Sequence, residues 1–223
     1  MVDTLFTNRI GGGSQSPYAG NNLALHVGDA AKAVSENRQQ LSRLIGPTQY
    51  MNQSHGDVVV VVDGKSVHEP NADALVTVES GIALGVLVAD CIPLLLWDEV
   101  EHVLAAVHVG RRGLLNGVAM KTVKVMNSMG AERIQAFLGP SICGTCYEVS
   151  SEIHDEVVSF FPNARSMTSV GTVSLDLPGA LAEELTAFGV NVSRSPTCTL
   201  ENTNFFSYRR EAVTGRQAGL IWQ

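Results

Sequence analysis

The chain has 223 residues, of which 45% are hydrophobic and 17% are charged, and its formal net charge is −7. These values describe an ordinary globular protein that is long enough to bury a substantial core. The acidic balance disfavours nucleic acid as a partner, because phosphate backbones attract basic surfaces.

The predicted elements are helices separated by clusters of strands. After a loop at 11–14, a helix is predicted from about 31 to 44, with Asp29 as its N-cap and Gly46 as its stop. Apolar, β-branched segments then predict strands near 58–62, 74–78, 82–88, 92–97 and 103–108. The later predicted elements are a helix at 114–129 ending at Gly130, a strand at 133–138, helices at 151–160 and 179–188, and strands at 190–192 and 218–222. Consecutive strands favour a mixed α/β or α+β domain over a doubly wound parallel sheet.

Two features predict a cytoplasmic protein without a membrane segment. The N-terminus lacks the basic region and long apolar stretch of a signal peptide. The most apolar segment, 81–97, is short for a membrane helix and contains Asp90 and Pro93 near its middle. In that compartment we expect the four cysteines to be free thiols or metal ligands rather than disulfides.

Three potential metal ligands, His55, Cys91 and His108, each occupy a short polar interruption beside a predicted strand. Their spacings are too long for a zinc finger but suit ligands at the ends of neighbouring strands. Two imidazoles and one thiolate fill three corners of a tetrahedron and leave the fourth open, as catalytic zinc requires. From these residues alone, a buried thiol with two surface histidines is the more common explanation of such a pattern, and the metal site is the alternative. Asp90, beside the thiol, is either a base or ligand-orienting group or a plain turn residue.

Two arginine-containing segments are candidate anion sites. The segment 108–113 places Arg112 in a glycine-rich turn before a predicted helix, where free N–H groups and a guanidinium can converge on an anion. The segment 204–210 combines aromatic residues with Ser207, Arg209 and Arg210, a mixture that suits a stacked base and a bound phosphate. Each segment is also compatible with a solvated basic surface.

The CxxC sequence at 143–146 is half of a possible zinc or redox motif. A second CxxC, which a structural zinc site would need, is not visible in the sequence. We therefore predict that Cys143 and Cys146 are thiols at a tight turn without a functional role.

Short motifs in order along nearly the whole chain carry a resemblance to a known family. They lie at 7–14, 22–29, 36–38, 53–56, 73–77, 89–93, 108–113, 139–142, 205–210 and 214–216. Together they resemble the YfiH/YlmD family, also called the laccase-domain or "multicopper polyphenol oxidase" family. Its members are described as purine nucleoside phosphorylases with adenosine deaminase activity. One departure is Cys143, where many relatives have glycine.

The resemblance implies a fold, a cofactor and a reaction. It implies one α/β domain over residues 1–223, with two mixed sheets packed face to face and helices outside in four layers. It implies zinc on His55, Cys91 and His108, and phosphorolysis of inosine and adenosine, with methylthioadenosine as a further candidate, beside deamination of adenosine. A purine nucleoside and inorganic phosphate are the expected partners of a monomer or weak homodimer. The candidate catalytic and substrate-binding residues are Asp90, Arg9, Arg112, Ser207, Arg209 and Arg210.

Two other functions stay open at this point. A copper-dependent polyphenol oxidase is suggested by the family's older name, but the chain has only six histidines and no His-x-His pair. A non-enzymatic, zinc-stabilised binding module is the second, although a structural zinc prefers four protein ligands and this pattern supplies three.

Overall fold

The computed structural model describes residues 1–64 and 68–223. The strands are β1 (Asp3–Phe6), β2 (Thr48–Gln49), β3 (Val59–Val61), β4 (Ala74–Thr77), β5 (Ala83–Val88), β6 (Ile92–Asp98), β7 (Val103–Val109), β8 (Gln135–Leu138), β9 (Arg165–Met167), β10 (Val173–Leu175), β11 (Asn191–Arg194) and β12 (Gln217–Trp222). The helices are α1 (Ala31–Ile45), α2 (Arg111–Asn116), α3 (Val118–Ser128), α4 (Ser151–Phe160), α5 (Leu177–Ala187) and α6 (Tyr208–Glu211), with a 3₁₀ turn at Pro162–Ala164.

Two mixed sheets form the centre of the fold. A six-stranded sheet has the order β11-β8-β6-β7-β4-β3, and a four-stranded sheet has the order β1-β12-β5-β2. Most neighbouring strands are antiparallel, whereas β11 with β8, β3 with β4 and β2 with β5 are parallel. Strands β9 and β10 form a separate antiparallel pair.

Buried side chains define four layers. Leu84 and Val86 of β5 share a core with Leu75, Leu95 and Leu104 of the six-stranded sheet, so the two sheets pack face to face. Helices α2 to α5 pack on the outer face of the six-stranded sheet. Leu41 of α1 packs with Leu87 and Leu220 on the outer face of the four-stranded sheet. The four-layer arrangement implied by the family resemblance is confirmed.

The central strands read as continuous apolar runs because both of their faces are covered. Every residue of β5 and β7 is buried. This explains why periodicity located these strands well but could not show which face packs on which layer. Among the described residues, the model contains no helix with the length and apolarity needed to cross a bilayer.

Local differences from the sequence predictions have physical reasons. The predicted helix at 114–129 is divided into α2 and α3 at Gly117. Gly117 has a φ of 71°, a left-handed conformation that residues other than glycine rarely adopt. Asp29 is not the N-cap of α1: Ala30 holds that position, and Asp29 instead accepts hydrogen bonds from the Ala30 N–H and the Asn22 side-chain amide. Strands β1, β2, β9 and β10 were not predicted, and each is only two to four residues long.

Candidate metal centre and substrate cavity

Strand register brings the predicted metal ligands to one end of the six-stranded sheet. Strands β6 and β7 are antiparallel with Ile92 opposite Val109, so Cys91, which precedes β6, lies next to the end of β7 that carries His108. Strands β7 and β4 are antiparallel with Val107 opposite Ala74, which places Asp73 beside His108. Residues far apart in sequence thus meet because neighbouring antiparallel strands begin and end at the same edge.

The three donor atoms converge closely enough to share one ion. One ligand atom from each of His55, Cys91 and His108 lies within 4.8 Å of the other two. The Cys91 Sγ lies 3.8 Å from the His55 Nε2, and the two imidazole rings meet edge to face with centroids 4.6 Å apart. We call these three residues the His–Cys–His cluster.

Asp73 is a buried carboxylate that orients this cluster, and it has 0% exposed surface. Its Oδ1 lies 2.9 Å from the His108 Nδ1, which leaves Nε2 of that ring to face the other ligands. The same carboxylate accepts hydrogen bonds from the backbone N–H groups of His55 and Gly56, at 2.9 and 2.7 Å, and from the Ser54 hydroxyl at 3.0 Å. One side chain therefore fixes both histidine ligands, a common arrangement around protein-bound metals.

The charges of the cluster depend on one another. Burial favours the neutral thiol of Cys91, but the adjacent His108 charge and hydrogen bonds from both histidines outweigh it and lower the pKa of Cys91 to about 6. Burial likewise opposes protonation of His108, whereas the Cys91 thiolate and Asp73 raise its pKa. Burial opposes the charge of Asp73, but its hydrogen bonds and the His108 charge hold its pKa well below the usual range. The site therefore favours a thiolate, the form that binds metal.

Gly110 provides the space in which the ligands approach each other. A Cβ atom at this position would lie 3.0 Å from the Cys91 Sγ and 3.1 Å from the His55 Cδ2. Any other residue would require the two ligands to move. Glycine in the motif at 108–113 thus serves the ligand geometry as well as the turn.

A cavity of about 370 Å³ opens beside the His–Cys–His cluster. This volume lies in the range of ~300–1,000 Å³ that is usual for small-molecule sites. Its wall combines the three cluster residues with aliphatic, aromatic and cationic side chains: His26, Gln53, Leu87, Val88, Ala89, Asp90, Ile142, Tyr147, Tyr208, Arg209 and Arg216.

Two arginine–tyrosine pairs supply the polar part of this wall. The Arg209 guanidinium lies 5.1 Å from the centre of the Tyr147 ring, and that of Arg216 lies 6.0 Å from the centre of the Tyr208 ring. Each guanidinium also donates to backbone carbonyl oxygens, Arg209 to that of Glu148 at 2.6 Å. The cations are thereby held in fixed positions at the edge of the cavity.

Asp90 lies in the same wall, at a φ of 85°. Its Oδ1 accepts a hydrogen bond from the Thr199 hydroxyl and its Oδ2 accepts one from the Arg209 N–H, both at 2.7 Å. Both contacts fasten C-terminal loops to the strand end that carries Cys91. The carboxylate that sequence reasoning treated as a base or a turn residue therefore positions the cavity wall.

The other predicted substrate residues lie in different surroundings. Arg9 forms an ion pair with Glu211 at 2.5 Å, and Arg210 donates to the carbonyl oxygens of Thr199, Leu200 and Phe205. Ser207 is buried and caps α6 by accepting from the Arg210 N–H. Arg9, Ser207 and Arg210 are not among the described residues that line the cavity.

Arg112 lies outside this cavity as well. It lines a separate surface cavity, which it shares with His55 and Gly56. Of the four arginines proposed from the sequence, the structure brings only Arg209 to the cavity beside Cys91.

Sequence reasoning missed three kinds of residue at the site. Asp73 was noted only as part of a strand motif. A carboxylate directly before a fully buried strand needs hydrogen-bond donors around it, and this could have pointed to its role. Arg216 and Tyr147 lie in or next to motifs but had no predicted role, whereas Tyr208 belongs to the aromatic group of 204–210 that was expected to stack a base. Gln53 was also unassigned; its side-chain amide bonds both backbone groups of Leu87 and so ties the His55 loop to β5.

Comparisons with known proteins identify the family. The chain matches the family model described as multi-copper polyphenol oxidoreductase laccase over residues 3–223. A purine nucleoside phosphorylase of Corynebacterium glutamicum is 44% identical over 99% of this chain and 94% of its own length. One of Pseudomonas aeruginosa is 38% identical over 99% of this chain and 93% of its own length.

Solved structures agree with the sequence comparison. A Neisseria meningitidis protein superposes with a TM-score of 0.90 at 37% identity, covering 99% of this chain and 93% of its own. YlmD from Geobacillus stearothermophilus superposes with a TM-score of 0.90 at 29% identity, covering 100% and 92% of the two chains. The chain therefore belongs to the laccase-like polyphenol oxidoreductase family, the YfiH/YlmD family that its motifs resemble.

Proposed function

We propose that this protein is a zinc-dependent purine nucleoside phosphorylase that also deaminates adenosine. The observation that carries the proposal is the open three-donor cluster, which lies in the wall of a cavity that also presents aromatic rings and guanidinium groups. Relatives at 44 to 46% identity are named purine nucleoside phosphorylases. A purine nucleoside and inorganic phosphate are the substrates that this wall suits.

The donor set of the His–Cys–His cluster fits zinc. Imidazole and thiolate are the ligands that zinc prefers in proteins, and three of them leave one position for water or substrate. Asp73 fixes the His108 ring, and the lowered pKa of Cys91 favours the thiolate. Zinc at such a site supplies a Lewis acid that activates water or polarises a bound oxygen.

The chain's own residues bind and orient the two substrates. Tyr147 and Tyr208 offer flat surfaces for the purine, because aromatic rings stack well on one another. Arg209 and Arg216 are the cationic groups of the cavity wall, and guanidinium groups bind phosphate through paired hydrogen bonds. We therefore assign phosphate binding to Arg209 and Arg216 rather than to Arg9 or Arg210, which are not among the described residues that line the cavity.

The two reactions need the same bound nucleoside but different nucleophiles. In phosphorolysis a phosphate oxygen bonds to the ribose C1′ while the bond from C1′ to the purine nitrogen breaks, and the purine takes up a proton as it leaves. In deamination water adds to C6 of adenosine and ammonia leaves. Holding the nucleophile beside the nucleoside in one cavity lowers the entropic barrier to either reaction.

The direct test is an assay of both reactions. We expect inosine with phosphate to give hypoxanthine and ribose 1-phosphate, and adenosine without phosphate to give inosine and ammonia. His55→Ala and His108→Ala should abolish both reactions, because each leaves an incomplete ligand set. Loss of deamination alone in these variants would restrict the metal to the attack of water and leave phosphorolysis to the arginines.

A copper-dependent phenol oxidase is the second candidate, and the description of the matching family model favours it. Thiolate and imidazole also bind copper, but a multicopper oxidase needs several copper centres. Among the described residues, the His–Cys–His cluster is the one donor group that includes histidine. Oxidation of phenols by copper-loaded protein, with no nucleoside product from zinc-loaded protein, would favour the oxidase. A protein that binds zinc but catalyses none of these reactions would instead be a binding module.

A further inference from the structure

A second group of potential metal ligands lies apart from the His–Cys–His cluster. One ligand atom from each of Cys143, Cys146, Cys198 and Glu201 lies within 4.8 Å of the other three. Cys198 is buried, whereas Cys143 and Cys146 are half-buried and Glu201 is exposed. We call these four residues the cysteine cluster. The sequence prediction of a functionless CxxC is incomplete, because the fold adds a distant thiol and a carboxylate to it.

The cysteine cluster is built on two similar turns. Cys143 and Cys146 have the same spacing as Cys198 and Glu201, so each turn offers two donors three residues apart. The Tyr147 N–H donates to the Cys143 carbonyl oxygen, and the Asn202 N–H donates to the Cys198 carbonyl oxygen, both at 3.0 Å. Paired turns with this donor spacing are the usual framework of a structural zinc site.

The two turns are joined so that their donors face each other. Ser141 and Cys198 form a parallel β-bridge, and the Thr199 N–H donates to the Ser141 carbonyl oxygen at 3.0 Å. Across the junction, the Cys146 Sγ lies 3.3 Å from a Glu201 carboxylate oxygen. Donors from two chain segments thus converge on one point, as tetrahedral coordination requires.

A backbone hydrogen bond also links the first turn to a sulfur of the second. The Cys143 N–H donates to the Cys198 Sγ at 3.4 Å. The four donor atoms therefore already lie close enough together to share one ion.

We propose that Cys143, Cys146, Cys198 and Glu201 bind a second zinc ion in a closed, structural site. Four protein donors fill the tetrahedron and leave no position for substrate, unlike the three donors of the His–Cys–His cluster. Three sulfur ligands favour zinc over harder ions such as magnesium. Binding releases the thiol protons and contributes to the stability of both turns.

This second ion would stabilise two chain segments that contact the cavity beside the His–Cys–His cluster. Tyr147, which follows Cys146 directly, lies in that wall beneath Arg209. Thr199, which follows Cys198, donates to Asp90 next to Cys91. A zinc ion at the cysteine cluster would therefore fix two segments that contact the cavity without itself touching the substrate.

The test is the zinc content of variants purified under reducing conditions without chelator and measured by mass spectrometry. We expect about two zinc ions per chain in the wild type and about one in Cys146→Ser or Cys91→Ser, each of which breaks a different site. The double variant should contain almost none. Thr203→Val, an exposed neighbour that follows the second turn, is the matched control and should keep about two.

Wild-type protein provides a second measurement in case Cys146→Ser does not fold. Chelated protein reloaded with Co²⁺ should show thiolate-to-cobalt absorption from all four cysteines, and Cys91→Ser should retain most of that absorption. About one zinc per chain in the wild type, removed entirely by Cys91→Ser, would overturn the second site. A disulfide among Cys143, Cys146 and Cys198 in the freshly reduced wild type would overturn it as well. Each outcome is independent of whether the protein cleaves inosine.

Discussion

The His–Cys–His cluster and the cysteine cluster differ in how many donors they offer and in what lies beside them. The first offers three donors and borders a cavity of about 370 Å³. The second offers four donors on two hydrogen-bonded turns. The difference illustrates a general rule for zinc: three protein donors suit chemistry at the ion, whereas four suit mechanical support.

The two clusters are also held in different ways. A buried carboxylate, Asp73, fixes the His–Cys–His cluster by binding His108 and the His55 loop. Backbone hydrogen bonds hold the cysteine cluster, among them those from the Cys143 N–H to the Cys198 Sγ and from the Thr199 N–H to the Ser141 carbonyl oxygen. A single side chain controls the first arrangement, so point mutations should affect it selectively and allow the two clusters to be separated by experiment.

The largest expected effect concerns the cavity beside the His–Cys–His cluster, whose wall contains Arg209. Arg209→Ala should lower kcat/KM for phosphorolysis by about tenfold to a hundredfold, the size of a lost charged hydrogen bond of about 1.5–3 kcal/mol. The KM for phosphate should rise while zinc content stays unchanged. Steady-state kinetics with varied phosphate measures the effect.

Arg210→Ala is the matched control for this prediction. Its guanidinium donates to backbone carbonyl oxygens, so its removal should lower the melting temperature more than it changes the phosphate KM. Equal phosphate effects in the two variants would contradict the assignment of the phosphate to the cavity wall. Arg216→Ala would then be the next variant to compare.

An effect of similar size, on zinc affinity rather than on phosphate binding, is expected from Asp73, which supports the His–Cys–His cluster. Asp73→Asn should weaken zinc binding there by about tenfold to a hundredfold, because the His108 ring loses its charged partner. Titration with a competing chelator should show weaker binding of one zinc ion and unchanged binding of the other. Asp98→Asn is the control, since Asp98 is an equally buried carboxylate bound by backbone N–H groups of Glu132 and Arg133. If both variants bind the same zinc ion more weakly, the effect of Asp73→Asn does not come from its contact with His108.

The space beside the ligands provides a further test. In Gly110→Ala the added Cβ would meet the Cys91 Sγ and the His55 ring, so both ligands must shift by a few tenths of an ångström. We expect reduced zinc content at this cluster and several-fold lower activity. Gly13→Ala, whose Cβ would meet no atom within 4 Å, should leave both unchanged. Full zinc content in Gly110→Ala would mean that the bound geometry is looser than the structure indicates.

The smallest effect should come from the hydrogen bond between Thr199, next to the cysteine cluster, and Asp90, next to the His–Cys–His cluster. Thr199→Val removes the 2.7 Å hydrogen bond to Asp90 and should cost about 1 kcal/mol of stability. We expect a several-fold rise in the KM for inosine with both zinc ions retained. Loss of the cysteine-cluster ion in this variant would show that the link holds the metal site rather than the cavity wall.

The sequence predicted most of the fold because the central strands are strongly apolar. Strands β4 to β7 were located to within one or two residues, and the helix predicted at 151–160 coincides with α4. The short strands escaped prediction because two to four residues carry little periodic signal. The division of the helix at Gly117 escaped it because glycine is also tolerated inside helices.

The metal ligands were predictable, but their supports were not. His55, Cys91 and His108 stood out as polar residues at strand ends, and the structure brings them together. Asp73 meets His108 only through the register of β4 and β7, which no local pattern reveals. The partners of Cys143 and Cys146 were missed for a similar reason: Cys198 and Glu201 lie more than fifty residues away and are not a second CxxC.

Restoring the activity of metal-free protein with zinc shows whether phosphorolysis depends on an ion at the His–Cys–His cluster. Wild-type and Cys91→Ala proteins are stripped with a chelator, titrated with zinc, and assayed with inosine and phosphate. We expect ribose 1-phosphate formation by the wild type to rise with zinc until the cluster is filled, while folded Cys91→Ala stays inactive at every zinc concentration. Phosphorolysis by Cys91→Ala at the wild-type rate would show that the reaction does not need zinc at the His–Cys–His cluster.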